Sequence, residues 1–444
     1  MSGAEVDDDS AERPRVPWGR TRATAPRVPI SLPGTPRAFP LLWAGTGAAN
    51  LADGIALSIG PLLAASLTRD PALVAGLVVA QRLPWLVFVL FSGVIVDRFD
   101  RRMLLVLGNL VRVLALGGVT VGLLAGVREI WMLYAAGFLL GMAETVVDNA
   151  SLAILPQLAT ASRIPDANGR LFATQSLLNE LVGPPIGALI FALSATASFA
   201  SGSAAFLLAA VVFWMLPRSA RSPEPDRTPV LEALANGVRE FGRIPLLLLL
   251  SCTAAAMNFF SAASGSVLVL LAQDRLGLEP AGFGLLIATG AVGGVLGGLL
   301  GPALLRRLSN GLVIGIGTAV GGLAYMLMAL TTSAWIAGAG LVVAGFIFTV
   351  ENVLVISLRQ TLVPTALLGR VTSVYRLIAV GVMPLGALAG GFIARSLGLA
   401  APFWIAGAAM VLLGVVVGPV LVRWSRVSGR PGAERDGGEG RGSS

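Results

Sequence analysis

The stretch GVIVDRFDRR, residues 93–102, decides how the rest of this 444-residue chain is interpreted. Five charged side chains fall within its last six residues, between two long apolar segments. Because charged groups cost several kilocalories per mole inside hydrocarbon, we expect a short hairpin at one face of a membrane. A weaker copy follows about 200 residues later, with Gly298 and Gly301 before Arg306 and Arg307. The chain is therefore predicted to contain two related halves.

Composition places the chain in a membrane. Hydrophobic residues make up 55% of the sequence and charged residues only 13%, and the mean hydropathy is +0.82. A soluble protein carries about 25% charged residues, so a multi-pass membrane protein is predicted. The net charge of +8 comes from arginines spread over many short loops, and nucleic acid is not an expected partner.

The chain contains no histidine and no lysine, and Cys252 is its one cysteine. Histidine is the commonest proton switch and metal ligand, so any proton coupling is expected to use carboxylates. The sequence shows no phosphate-binding glycine loop with lysine, no metal-ligand cluster and no nucleophile triad. We therefore predict that the protein is not an enzyme, holds no metal ion and needs no cofactor.

Apolar segments of the length that spans a bilayer, about 20 residues, recur twelve times. They cover residues 38–66, 71–96, 103–126, 129–154, 169–193, 198–216, 245–272, 279–305, 310–330, 333–358, 370–394 and 400–424. With both chain ends on one side, 25 arginines lie in the connections and at the segment ends of that side and 4 on the other. The positive-inside rule then predicts cytoplasmic termini.

The predicted organisation has five parts. These are a disordered cytoplasmic tail at 1–37, a six-helix bundle at 38–216, a cytoplasmic linker at 217–244, a second six-helix bundle at 245–424 and a disordered tail at 425–444. Apolar residues at helical spacing within the linker indicate an amphipathic helix on the membrane surface, with a plain linker as the alternative.

Paired motifs relate the fourth and fifth segments to the tenth and eleventh. Asp148-Asn149 corresponds to Glu351-Asn352, and the PIGAL sequence at 185–189 corresponds to PLGAL at 384–388. Parallel repeats of this kind place a substrate site between the halves near mid-membrane. The predicted fold is all-α, with twelve transmembrane helices in two parallel six-helix repeats.

Twelve helices, a central loop and the 93–102 stretch together resemble the major facilitator superfamily. Its signature, Gly-x-x-x-Asp-Arg-x-x-Arg-Arg, is matched by Gly93, Asp97, Arg98, Arg101 and Arg102. The resemblance implies a latch that closes the cytoplasmic side, with the Asp97 carboxylate facing the start of helix eleven. The alternative is that these charges only set the topology. The second copy has no acid where Asp97 would map, so the latch is expected in the first half alone.

A second motif is similar to that of the superfamily's drug exporters. Gly183, Pro184 and Gly187 match the antiporter motif Gly-Pro-x-x-Gly, which is expected to bend helix five, although Asn179 and Ala188 depart from the longer pattern. Residues 50–54 and 168–170 look like macrolide-efflux proteins and enterobactin exporters.

That resemblance implies a monomeric transporter that exports a small amphipathic or hydrophobic compound, drug-like or siderophore-like, by proton antiport with alternating access. It would lie in the inner membrane of a bacterium, and its partners would be the substrate, protons and membrane lipids. A nutrient importer of the same fold and a non-transporting membrane scaffold or sensor are the alternatives.

Ionisable side chains within the apolar segments are the candidates for coupling, because each is costly to bury in a membrane. Asp53, Glu144 and Glu180 are predicted to carry it, the last two lining one cavity because they lie at similar depth. Five others are predicted ion-pair partners: Arg82, Arg112, Asp148, Glu351 and Arg376.

Depth suggests specific pairs among these groups. Asp53 and Arg82 both lie near mid-membrane, and Arg112 needs an acid or carbonyl partner. Asp148 and Glu351 are interpreted as structural groups near the cytoplasmic ends, pairing across the two halves. The aromatic residues of 257–260, with Trp85 and Phe88, are further candidates to line an apolar substrate cavity.

Overall fold

The computed structural model describes residues 38–158, 163–217, 238–239, 241–363 and 367–428, without the side chains of residues 87–94, 97, 157, 370 and 424–428. The predicted tail at 1–37, most of the predicted linker with its amphipathic helix, and most of the predicted tail at 425–444 lie outside these residues. So do the predicted contacts of the Asp97 carboxylate and the Phe88 ring.

Secondary structure in the described part of the chain is helical throughout. The first half contains α1 (Ala38–Leu67), α2 (Pro71–Arg98), α3 (Arg101–Leu124), α4 (Ile130–Leu158), α5 (Ile164–Gln175), α6 (Gly183–Leu193) and α7 (Ala195–Trp214), with a π-helical segment, Ser176–Val182, between α5 and α6. The second half contains α8 (Pro245–Gly265), α9 (Leu268–Asp274), α10 (Pro280–Arg307), α11 (Asn310–Leu330), α12 (Ala334–Leu362), α13 (Leu368–Gly381), α14 (Met383–Leu397) and α15 (Ala401–Ser428).

These helices supply the predicted membrane spans. Within the described residues, 11 helical segments are long and apolar enough to cross a bilayer. A further apolar stretch, Pro71–Leu86, begins α2, which continues as helix to Arg98. The all-α fold with two sets of spans is therefore confirmed. The last helix ends at Ser428, four residues beyond the predicted boundary at 424.

Three of the predicted continuous spans are interrupted instead. The fifth contains the π-helical segment, the seventh breaks between α8 and α9, and the eleventh breaks between α13 and α14. Pro184 lies in the first turn of α6 and Pro384 in the first turn of α14. Proline fits this position because its missing N–H would have no partner there, so the repeated prolines mark where both helices restart.

Glycines let α1 and α6 approach closely. A Cβ atom on Gly183 would lie 2.6 Å from the Cα of Gly54, and one on Gly187 would lie 2.6 Å from Ser58 Oγ. Any side chain at these two positions would force the helices apart. The predicted antiporter motif therefore forms a packing surface against α1, in addition to the restart of the helix.

The two ends of the bundle differ in how the halves meet. We call the end where α2 joins α3, at Phe99–Asp100, the arginine-rich end, and the end where α1 joins α2, at residues 68–70, the opposite end. One buried apolar cluster at the opposite end combines both halves, including Leu62 and Phe206 with Leu271 and Phe403. At the arginine-rich end each half has its own cluster.

Polar contacts also join the halves at the opposite end. Arg69 Nη1 lies 3.1 Å from Asp274 Oδ1 and donates to Gln273 Oε1 at 2.8 Å. Arg395 Nη1 lies 3.5 Å from Asp70 Oδ2. The other carboxylate oxygen of Asp70, Oδ1, accepts a hydrogen bond from the Ala72 N–H and so caps the first turn of α2. The halves therefore close against each other at the opposite end, and this leaves room between them toward the arginine-rich end.

Candidate functional site

A cavity of about 460 Å³ occupies that room. It extends from Asp53, in the middle of α1, to Asn168, near the start of α5. Its lining comes from α1, α2, α3, α4, α5 and α7 of the first half, with Arg376 from α13 of the second half. The site is thus built mainly by one half and touched by the other.

Asp53 and Arg112 form the deepest charged pair of the site. Arg112 is only 1% exposed, and its Nη1 donates to Asp53 Oδ2 at 3.2 Å. The guanidinium carbon also lies 5.2 Å from the centre of the Phe206 ring, a cation–π distance. Asp53 was predicted to pair with Arg82 on depth alone. The structure instead pairs it with α3, since α1 turns this side chain toward Arg112.

The remaining nitrogens of Arg112 are short of partners. Within the described residues, Nε and Nη2 are buried without a hydrogen bond. A buried guanidinium with unpaired donors attracts negative charge strongly, because its desolvation is only partly offset. The carboxylates around it are therefore held in the field of a fixed positive charge.

Glu144 and Asp148 supply two further carboxylates. They lie four residues apart on α4 and so share one face of this helix. Both are close enough to Asp53 for their charges to interact, and Asp148 also interacts with Arg82, Arg112 and Arg376. Asp148 lines the cavity and is exposed to it. Asp148 was predicted to be a structural group that pairs across the two halves. It does interact with Arg376 of the second half, but it lies in the cavity together with Asp53.

The second half reaches this cluster through one side chain. The guanidinium carbon of Arg376 lies 5.6 Å from the ring centre of Trp85, and both residues line the cavity. Arg376 was predicted to lie at the level of Glu351. Its side chain faces the first half, where it brings a positive charge from α13 toward Asp148.

Glu180 does not join the cluster. It is exposed on the π-helical segment, which packs against α1 and α10, and it is not among the cavity-lining residues. Equal depth suggested that Glu180 and Glu144 share one cavity. Depth alone does not specify the direction of a side chain around the helix axis, and the π-helical segment changes that direction further.

Glu351 faces away from the cavity. It is 7% exposed and accepts a hydrogen bond from Thr318 Oγ1 at 3.0 Å, between α12 and α11. The expected pairing of Glu351 across the two halves is therefore replaced by a contact within the second half.

The arginines of the 93–102 stretch hold the first half together. Asp100 caps α3 by accepting from the Arg102 backbone N–H at 2.9 Å, so the hairpin is reduced to Phe99 and Asp100. Arg101 Nη1 donates to the Ala153 carbonyl of α4 at 2.8 Å. Arg102 donates to the Trp214 carbonyl, and its guanidinium carbon lies 4.9 Å from the centre of the indole of that residue.

Sequence reasoning missed most of the polar lining of the cavity. Amides and hydroxyls contribute to it at seven positions on three helices: Thr46, Asn50, Thr145, Asn149, Ser151, Asn168 and Gln175. Apolar side chains, among them Trp85, Leu152 and Phe172, complete the wall. In the part of the chain that the structure describes, no group of three or more acids or cysteines is placed to hold a metal ion.

It also missed the ion pairs at the opposite end, although a signal was present. Arg69-Asp70 follows the first span and Asp274-Arg275 follows the seventh, which are equivalent positions in the two repeats. For the aromatic candidates, Trp85 lines the cavity, whereas residues 257–260 are not among its lining residues. Asn258 donates to the Ala379 carbonyl of its own half at 2.8 Å.

Comparison with known proteins places this geometry in a family. Residues 31–427 match the model of the family described as transmembrane secretion effector, a major facilitator family. The MFS-type transporter YfiS of Bacillus subtilis is 27% identical over 375 residues, which cover 81% of this chain and 87% of that protein. The enterobactin exporter EntS of Escherichia coli O1:K1 is 25% identical over 342 residues, which cover 77% of this chain and 81% of that protein.

Solved structures share the fold at low sequence identity. A mutant of the nucleoside transporter NupG superposes with a TM-score of 0.71 at 12% identity, covering 87% of this chain and 99% of that one. A bacterial homologue of the iron transporter ferroportin, in an inward-facing state, superposes with a TM-score of 0.69 at 17% identity. The match covers 88% of this chain and 98% of that one.

With the family model spanning nearly all of the described residues, the chain belongs to the transmembrane secretion effectors of the major facilitator superfamily, and it is a multi-pass membrane transporter.

Proposed function

We propose that this transporter exports a small amphipathic or hydrophobic compound, drug-like or siderophore-like, in exchange for protons. The observation that carries the proposal is the cavity in which Asp53 and Asp148 lie close to the buried Arg112. Glu144 is not among the lining residues, but it is close enough to both carboxylates for their charges to interact. Carboxylates that share one fixed cation can exchange a proton for a substrate group, because occupation of the site by one weakens binding of the other. The relative named as an enterobactin exporter supports export as the direction.

The cavity wall supports an amphipathic substrate. Asn50, Asn149 and Gln175 provide hydrogen-bonding groups, while Trp85 and Phe172 provide aromatic surface. A pocket of this size that mixes apolar walls with a few polar groups is typical of small-molecule sites.

We assign the arginine-rich end to the cytoplasm of a bacterial inner membrane. The support is the distribution of arginines, 25 on that side and 4 on the other. Under this assignment the structure represents an inward-facing conformation, in which the cavity is accessible from the cytoplasm and the opposite end is closed. Both termini lie in the cytoplasm under this assignment.

The 93–102 stretch is proposed to control closure of the cytoplasmic side. Arg101 and Arg102 fasten α3 to α4 and α7, so the end of α2 is held by a rigid neighbour. That leaves Gly93, Asp97 and Arg98 as the part of the stretch that would meet the second half when this side closes.

Transport in proteoliposomes tests the proposal. The full chain is reconstituted, a pH gradient is imposed, and efflux of ethidium and of enterobactin is followed with and without the gradient. We expect gradient-driven movement of at least one compound, and a loss of about tenfold or more in Asp53→Asn. Glu180→Gln is the matched control and should retain transport. Undiminished gradient-driven efflux in Asp53→Asn, in Asp148→Asn and in the double variant would overturn the assignment of the carboxylates.

A further inference from the structure

A second depression lies on the outer surface of the second half, away from the cavity. Helices α10 and α11 follow each other directly in the chain, yet each packs on α12 and hardly on the other. The gap between them is a groove of about 180 Å³. Its walls come from the ends of α10 and α11, and α12 forms its floor.

The groove is apolar and faces the surroundings of the bundle. Leu312 is 42% exposed and Ile316 56% exposed along its wall, and Val320 continues the same row. From Leu312 to Val320 the wall is about 12 Å long, at about 1.5 Å of rise per residue. In a membrane-spanning protein this surface is in contact with lipid chains, so an extended acyl chain matches both the shape and the chemistry of the groove.

Two charges mark one end of the groove. Arg306 and Arg307 close α10 at the arginine-rich end, directly before Leu308 in the groove wall, and both are exposed. The sequence has no acidic residue from 280 to 350, so these arginines have no acid near them in the chain. Paired guanidinium groups at the level of the headgroups attract lipid phosphate.

We propose that this groove binds an anionic phospholipid, with the headgroup on Arg306 and Arg307 and one acyl chain along α11. The acyl chain lies against Gly317 of α11, where the wall of the groove has no side chain, and over the buried Glu351 in the floor. A Cβ atom on Gly317 would come 2.8 Å from Glu351 Oε1 and would narrow the groove. The lipid would thus cover the surface under which Thr318 and Glu351 join α11 to α12.

Native mass spectrometry of the full-length protein in detergent tests the site. Phosphatidylglycerol and phosphatidylcholine with identical acyl chains are added stepwise, and the first bound lipid is quantified. We expect phosphatidylglycerol to bind more tightly than phosphatidylcholine. The double variant Arg306→Gln/Arg307→Gln should weaken the binding of phosphatidylglycerol by about tenfold or more. Arg163→Gln/Arg170→Gln removes two exposed arginines at the same end, far from the groove, and should leave binding within about twofold.

A second pair of variants tests the acyl chain. Ile316→Trp fills the groove and should reduce binding of both lipids, whereas Leu323→Trp, on an exposed part of α11 outside the groove, should not. Inorganic phosphate, which has no chain, should fail to displace the lipid at equal concentration. The proposal is overturned if the double arginine variant binds phosphatidylglycerol like the parent or if phosphate displaces the lipid. It is also overturned if the parent protein is a dimer and Ile316→Trp converts it to monomers without releasing lipid, since the groove would then be an interface between two copies.

Discussion

Asp148 and Glu351 occupy the same position in the two repeats and have opposite surroundings. Each lies on a helix of 29 residues, α4 or α12, and each is followed by asparagine. Asp148 faces the cavity, within reach of the charges of three arginines. Glu351 is buried in the floor of the apolar groove and accepts a hydrogen bond from a threonine hydroxyl. A repeated fold can therefore use one position for charge in one half and for helix packing in the other.

The largest effect is expected where the first half is most charged. Arg112→Met leaves the partly buried Asp53 without its cation. Breaking a fully buried pair typically costs about 3–5 kcal/mol, and we expect a loss toward the lower end of this range because Asp53 lines the cavity. We expect a lower midpoint of thermal unfolding, followed by intrinsic fluorescence in detergent, together with loss of gradient-driven efflux.

The charge-balanced double variant Arg112→Met/Asp53→Asn is the control. It should recover most of the stability and none of the proton coupling. An unchanged unfolding midpoint in Arg112→Met would contradict the structural role of the pair.

The next prediction tests the comparison itself. Asp148→Asn should lower gradient-driven efflux by about tenfold or more, since it removes a carboxylate from the cavity. Glu351→Gln should leave efflux within about threefold, because glutamine keeps an oxygen that accepts the Thr318 hydrogen bond. Initial rates in proteoliposomes measure both variants at equal protein density. Equal losses in the two variants would show that the repeat-related acids act together.

A smaller effect is expected at the packing contact of the second half. Thr318→Val removes the hydroxyl that donates a hydrogen bond to Glu351 Oε1. The buried carboxyl oxygen then lacks this donor. The cost is about 1–3 kcal/mol of unfolding free energy. Denaturant or thermal unfolding of the purified chain measures it, with Thr289→Val as a control because that hydroxyl donates only to a carbonyl in its own helix. The prediction would be contradicted if Thr318→Val lowered gradient-driven efflux and left the unfolding free energy unchanged.

The smallest effect is expected at the ion pairs of the opposite end. Arg69 and Asp274 are exposed, so their pair contributes on the order of 0.2–1 kcal/mol. Arg69→Ala should shift the population only slightly toward opening of that end. Double electron–electron resonance between labels on α1 and α9, in a Cys252→Ser background, measures the distance distribution. A full conversion to the open state would mean that this pair, and not the apolar cluster beneath it, holds the end closed.

The spans, the repeat and the family could be read from the sequence because they depend on length, composition and short motifs. The partner of Asp53 could not, since Arg82 and Arg112 lie at comparable depths and only the rotation of α1 chooses between them. The exclusion of Glu180 depends on the π-helical segment, for which no local pattern was recognised. The groove at Gly317 results from two neighbouring helices that do not touch, which is a property of tertiary packing.

The apolar cluster shared by both halves at the opposite end has a consequence for temperature. Opening that end would expose part of this cluster to water, including the apolar surface around Leu271 and Phe403. Exposure of apolar surface to water raises the heat capacity, and the association of such surfaces weakens on cooling. The balance between the two access states should therefore move toward the open opposite end in the cold, so that temperature alone becomes a means of populating it.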